Sequence, residues 1–316
     1  MKRPIIFAAL FAALVAAILA AQDQPDIRVD VDLVTVACSV TDRNGAPVRD
    51  LKASDFTLTD NGEPREIHNL WQEADLPLTV ALVADVSGSQ AGFVKSHRDA
   101  IAQFLKQVVG PRDHAMIVEV DKQARLISGL TGTPDRAVQN IGTREGKQSP
   151  PLGPPCRNKD FPHSCGGTAL WHALDQAALA LHPIAGRKAI VVLSDGVDTG
   201  SDVPLANLIE AAQSAETVVY SLRYESPARF FSPATLLAQA LSHGLDRLDL
   251  QTGGLTFPNP GRNTAEVFSR IEADIRNTYV LGFTPSPGPR DGKFHQLNVK
   301  TARNDLTVRF RTGYWR

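Results

Sequence analysis

The stretch LTVALVADVSGSQAGF, residues 78–93, decides the fold. Its first half, Leu78 to Ala84, carries almost no polar side chain. A strand of that composition needs cover on both faces, as in a parallel sheet between two helical layers. The apolar run then stops, and Asp85, Ser87 and Ser89 follow at every second position. Residues two apart in extended backbone point the same way. DVSGS therefore aims one carboxylate and two hydroxyls at a common point, with Gly88 easing the turn.

Downstream, short apolar runs alternate with longer helical patterns. Strands are expected at 78–84, 114–120, 124–128, 188–193, 217–224 and 255–257, and helices at 93–109, 134–144, 169–181, 204–216, 233–251 and 263–276. This rhythm predicts an α/β fold, a doubly wound and mainly parallel sheet with helices on both faces. Such sheets bind ligands beyond the carboxyl ends of their strands. Two further segments reach that edge. RKAIVVLSDGVDTGSD is a buried strand running into Ser194, Asp195 and Gly196, and CGGTALWHALDQAAL is a Gly-Gly entry that places Thr168 at a helix start.

The flanks read as β structure. IRVDVDLVTVACSVTD alternates along its length, but its apolar phase moves from Ile27, Val29, Val31 and Leu33 to Val34, Val36, Cys38 and Val40. A one-residue slip reverses the buried face, which predicts a bulge or a change of sheet near Leu33 and Val34. LKASDFTLTDNGEPREIHNLWQE reads as two more strands around an Asn-Gly turn. The last forty or so residues return to strands, TYVLGFTP, FHQLNVKT and LTVRFRTGYW. The expected organisation is a signal peptide at 1–21, a β unit at 22–76, the α/β domain at 77–277 and a C-terminal β hairpin segment at 278–316. The two β segments are expected to pair into one small all-β unit, because the N-terminal one is too short to stand alone and the three C-terminal strands need partners.

MKRPIIFAALFAALVAAILAAQDQPD has the layout of a secretory signal peptide: early cations, an apolar run, small residues and an abrupt polar switch. Cleavage is expected after Ala20 or Ala21; an uncleaved anchor is the alternative reading, and no membrane span remains once the segment is removed. The implied location is secreted, periplasmic or at the cell envelope. Export makes the cysteines informative. Cys156 and Cys165 flank a Pro- and Gly-rich loop, and a disulfide between them would remove about 2 to 3 kcal/mol of unfolded-chain entropy. Two free thiols, or a Cys/His cluster with His163, are the alternatives. Cys38 lies in phase with Val36 and Val40 and reads as a core thiol. With 33 basic and 34 acidic residues among 316, no bulk field favours nucleic acid. Gly166 and Gly167 lack the lysine of a phosphate-binding loop, so no nucleotide is expected.

Asp85, Ser87, Ser89, Thr168 and Asp195 form an oxygen-only set without imidazole or thiolate. That chemistry suits a hard cation, Mg²⁺ or Mn²⁺, rather than zinc. Asp-x-Ser-x-Ser at the end of an apolar strand, Thr after Gly-Gly, and Ser-Asp-Gly after another strand together resemble the metal ion-dependent adhesion site of von Willebrand factor type A domains. The likeness covers roughly residues 78–257. The β lead-in and the ending YVLGFTPSPGPRDGKFHQLNVKT resemble bacterial secreted proteins classed as von Willebrand factor A related. The resemblance implies hydroxyl ligands at Ser87, Ser89 and Thr168, and Asp85 and Asp195 bound directly or through water. It also implies an open position for an Asp or Glu of a protein partner. Gln90 stands where Met is frequent, and EVDKQ lacks a Phe often found there; neither touches the ligand set. Gly167 and Asp198 are candidates for the rim.

The resulting expectation is a non-enzymatic, cation-dependent adhesion or assembly module. One alternative is a Mg²⁺-dependent hydrolase or phosphatase, for which Asp198 is the available acid or base. Another is a structural envelope subunit. Ser194 has no histidine placed for a triad, His172 reads as a surface residue of its helix, and Trp171 as core.

Overall fold

The computed structural model describes residues 33–72, 76–132, 134–154, 167–225, 233–288 and 290–316. The expected signal peptide, the first half of the alternating segment whose phase changes near Leu33 and Val34, and the pairing of Cys156 with Cys165 lie outside the described residues. Leu33–Arg316 forms one compact unit.

The amino-terminal strands are β1 (Val34–Thr41), β2 (Phe56–Asp60), β3 (Glu63–Arg65) and β4 (Ile67–Gln72). Asn61 and Gly62, both at positive φ, make the tight β2–β3 turn that this dipeptide favours. The central sheet follows: β5 (Leu78–Asp85), β6 (His114–Val120), β7 (Ala124–Thr131), β8 (Arg187–Ser194), β9 (Thr217–Arg223) and β10 (Thr256–Pro258). Its order is β10-β9-β8-β5-β6-β7, parallel except for β7, which pairs antiparallel with β6. The helices are α1 (Val94–Val108), α2 (Leu170–Leu181), α3 (Leu205–Ser214), α4 (Pro233–Thr252) and α5 (Thr264–Arg276).

The apolar uniformity of β5 now has its cause. Leu78, Val80, Leu82 and Ala84 pack with Ile101 and Phe104 of α1 and Phe268 and Ile271 of α5. Ala81 and Val83 face the other way, onto Leu170 and Leu174 of α2, Leu208 of α3 and Leu245 of α4. The sheet is thus covered by helices on both faces, as the strand compositions predict.

The expected helix at 134–144 does not form. The segment holds a 3-10 turn at Ala137–Asn140 and a single helical turn at Arg144–Lys147. Gly142 lies between them at φ 68, outside helical backbone, and its N–H is committed to Glu119 of β6 at 2.7 Å. Val138 and Ile141 are still buried, so the apolar spacing reports contact with the core and not a helix.

The chain closes with β11 (Thr278–Phe283), β12 (Phe294–Thr301), β13 (Thr307–Phe310) and β14 (Gly313–Trp315). They interleave with the first strands in two four-stranded antiparallel sheets, β13-β1-β11-β4 and β14-β12-β2-β3. One core joins the two sheets, with Val36, Cys38 and Val40 from β1, Leu58 from β2, Tyr279 and Leu281 from β11 and Val299 from β12. This β sandwich is the all-β unit built from both ends of the chain. Burial pushes the Cys38 thiol up to about 12, as fits an inert core position. Among the described residues no helix is long and apolar enough to cross a membrane.

Candidate functional site

β5 ends at Asp85, whose side chain is fully buried. Its Oδ1 accepts the Ser87 N–H at 2.9 Å, and its Oδ2 accepts the hydroxyl of Ser194, the last residue of β8, at 2.6 Å. Parallel pairing of β5 with β8 sets Ala84 against Leu193, so the two strand ends arrive level. Ser194 Oγ in turn accepts the Gly196 N–H at 3.0 Å. Ser194 is therefore the brace between the two strand ends. Burial pushes the Asp85 carboxyl from its ordinary 3.8 up to about 6; the bonds from Ser194 and Ser87 pull it back, and the charge of Asp195 adds to the rise.

Ser87 begins the 3-10 turn Gly88–Phe93 that leads into α1, and its hydroxyl lies 3.2 Å from that of Ser89. Gln90 is fully buried and donates to the Tyr224 carbonyl at 3.1 Å, tying this loop to the end of β9. Asp195 is 3 % exposed, and its Oδ1 accepts the Val197 N–H at 3.1 Å.

Thr168 precedes α2. Its N–H donates to Thr199 Oγ1 at 3.0 Å, and its carbonyl accepts from Thr199 and Gly200 at 3.1 and 3.0 Å. The next residue, Ala169, donates to the Asp121 carbonyl beyond β6 at 2.8 Å. The loop after β8, the turn after β6 and the entry to α2 are thereby stitched together at one sheet edge. Gly167 is required in this stitch, because a Cβ there would press on the Thr199 hydroxyl and stand 2.9 Å from its carbonyl oxygen. Among the described residues the Thr168 hydroxyl makes no hydrogen bond to the other four candidates.

The rim candidate Asp198 is held at the start of α2. Its Oδ1 accepts the Trp171 N–H at 3.1 Å and the Ser201 hydroxyl, and its Oδ2 accepts the Ser201 N–H at 3.3 Å, so it caps the start of α2. Burial raises its pKa, and the bonds from Ser201 and Trp171 oppose the rise. Trp171 is a core residue at 9 % exposure. His172 is buried rather than on the surface: Nδ1 lies 2.8 Å from Asp202 and Nε2 lies 3.1 Å from the Pro154 carbonyl. The sequence reading missed this because helical periodicity shows which face is polar, not which loop covers it.

Glu119 is a further buried carboxylate that sequence reasoning passed over. It sits at the end of β6, level with Ala84, accepts the Gly142 N–H and lies 3.9 Å from Arg125. An acid directly after the apolar run AMIV, residues 115–118, was the available signal. His97 of α1 lies behind the same edge, fully buried, its ring 4.7 Å from that of Tyr224. Burial lowers its pKa to about 4, so the imidazole is neutral.

The donor chemistry fits a small hard cation. Octahedral ligands at about 2.1 Å stand about 3 Å from their neighbours, close to the separation of the Ser87 and Ser89 hydroxyls. Among the described residues no three His, Cys, Asp or Glu side chains cluster as a metal site. A cation here would rest on two carboxylates and on hydroxyls.

No family model matches the chain, and no curated protein matches it. In structure it is similar to an aerotolerance-related membrane protein from Bacteroides fragilis, at TM-score 0.44 and 15 % identity over 63 % of this chain and 98 % of that one. It is also similar to the conserved hypothetical protein BatB from Bacteroides thetaiotaomicron, at 0.43 and 15 % over 61 % and 97 %. A von Willebrand factor type A protein from Catenulispora acidiphila compares at 0.43 and 13 % over 90 % and 74 %. None of these likenesses transfers a function.

Proposed function

We propose that this protein is an exported, divalent-cation-dependent binding module that engages an exposed Asp or Glu of a protein partner. The observation that carries the reading is the buried pair of strand ends at Asp85 and Ser194–Asp195, with the Ser87 and Ser89 hydroxyls set beside them. Ser87, Ser89 and Thr168 would hold Mg²⁺ or Mn²⁺ through their hydroxyls, and Asp85 and Asp195 directly or through water. The ion would supply an open coordination position for an incoming carboxylate. The protein's own part is orientation: Ser194 fixes the Asp85 carboxylate, Gln90 anchors the Ser89 loop, and the Thr199–Gly200 stitch holds Thr168 in place. Two groups a hydrolytic reading would draw on have other partners, Asp198 at the α2 terminus and His172 on Asp202.

The test is a titration of MgCl₂ and MnCl₂ against wild type and Asp85→Ala, read by thermal denaturation and by pull-down from envelope extract with and without chelator. At a hundredfold excess over Kd, binding stabilises by about 2.7 kcal/mol. Wild type is expected to show that rise and cation-dependent capture of a partner, and Asp85→Ala neither. A wild type indifferent to both cations overturns the reading. Turnover of a phosphoester or peptide panel, lost in Asp85→Ala, replaces it with the hydrolase.

A further inference from the structure

At the opposite end of the parallel sheet, the amino-terminal ends of β8 and β9 face the sandwich sheet β13-β1-β11-β4 across a cavity of about 210 Å³. Four cations border it: Arg187 and Lys188 at the start of β8, Arg309 in β13 and Arg311 just beyond. Arg309 and Arg311 are two apart and so share one face of their strand.

Each guanidinium is partly committed. Arg309 pairs with Asp274, which also accepts the Tyr220 hydroxyl at 2.7 Å. Arg311 donates to the carbonyls of Gln213 and Thr35 at 3.0 and 2.6 Å and pairs with Glu216 at 3.1 Å. In both, Nε–H is buried and meets no acceptor among the described residues. The ammonium of Lys188, half-buried on the same cavity, makes no hydrogen bond or ion pair among the described residues. Arg187 reaches the carbonyls of Ile275 and Leu76. The two carboxylates of the cluster, Glu216 and Asp274, are already taken by Arg311 and Arg309.

Buried donors left without acceptors are costly, more so on charged groups. Water can satisfy an N–H but does not answer a charge; an oxyanion does both, with charge-assisted bonds. We propose that this cavity binds a small oxyanion, a carboxylate or phosphate group held by Arg309 Nε, Arg311 Nε and the Lys188 ammonium. At about 30 Å³ per water the space equals roughly seven waters, which admits inorganic phosphate or a short dicarboxylate. Burial holds the Lys188 pKa below its usual value against the pull of Glu216, and an anion beside it adds to that pull. The site is separate from the carboxyl edge where Asp85 lies.

The experiment measures thermal melts of the full chain in malonate, succinate, phosphate and sulfate, with sodium chloride at matched ionic strength. The expected result is a saturable rise in Tm that chloride does not produce. The carboxylate and phosphate arms tell which source of oxyanion the cavity takes. Lys188→Met and Lys188→Gln remove no bond that the fold uses, and each is expected to shift half-saturation roughly tenfold or more upward. Asp85→Ala leaves that midpoint unchanged. The proposal is overturned if Tm follows ionic strength alone, if no ion shifts it, or if the Lys188 variants respond as wild type does.

Discussion

Gly167 makes the most exacting residue-scale test of the candidate site. Gly167→Ala drives a methyl into Thr199 and displaces Thr168 while leaving all five proposed ligands in the chain. Overpacking of this kind costs about 1 to 3 kcal/mol. Melts with Mg²⁺ and with chelator should show that loss together with a diminished cation response. Asp249 tests a different physics. It is buried beneath the Ser221 and Thr256 hydroxyls, and burial raises its pKa well above the ordinary value. A raised folded pKa contributes stability that is complete below the unfolded pKa of about 3.9 and lost as pH rises. Asp249→Asn has no such titration, so urea midpoints should show it gaining on wild type from about pH 4 upward. At this scale the grouping of Asp85, Ser87 and Ser89 was legible but its cause was not: the strand stops at Asp85, and the 3-10 turn Gly88–Phe93, not extended backbone of period two, brings the Ser89 hydroxyl to 3.2 Å from that of Ser87. Ser194's bond to Asp85 was not legible, because it joins residues far apart in sequence through a strand pairing that no local pattern reports.

At the scale of elements, Asp113 links three of them. Oδ1 accepts the Leu78 N–H at the start of β5, Oδ2 accepts the Gly110 N–H after α1, and Arg276 at the end of α5 donates to Oδ2 at 2.9 Å. Burial alone would raise its pKa; the bonds from Leu78, Gly110 and Arg276 outweigh burial and hold the carboxyl below its ordinary value. The stability it contributes is therefore present above about pH 3.9 and lost as pH falls through the lowered pKa. Asp113→Ala should cost about 2 to 4 kcal/mol at neutral pH by chemical denaturation, with the gap closing in acid. Element type was legible wherever the apolar pattern was long, as for α1 and α5. It failed at 134–144, where Val138 and Ile141 have helical spacing but Gly142 is recruited by a carboxylate on another strand. The competing demand came from burying Glu119, and only the folded sheet reveals it.

For the whole molecule, the central fact is that β11 lies between β1 and β4 in one sheet, while β12 lies between β2 and β14 in the other. Residues 33–76 alone lack one of the two inner strands of each sheet, β11 and β12. Expressed by themselves they should show no protected amides by hydrogen exchange, and the chain cut after Asn277 should lose the sandwich while its parallel sheet retains its strands. The alternation in each terminal segment shows half-buried strands, and composition shows that they need partners. Their interleaving was legible as a requirement, whereas the order within each sheet is set by long-range pairing.

That interleaving also decides how the molecule carries mechanical load. A pull entering ahead of Val34 and leaving beyond Trp315 runs through β1 and β14, both held in the sandwich. The span from Leu78 to Arg276 is a loop off that line of force, closed at its base by the pairing of β1 and β4 with β11. Tension on the chain is borne by the sandwich hydrogen bonds first, and the edge bearing Asp85 and Asp195 stays unstressed until β11 is torn from its neighbours.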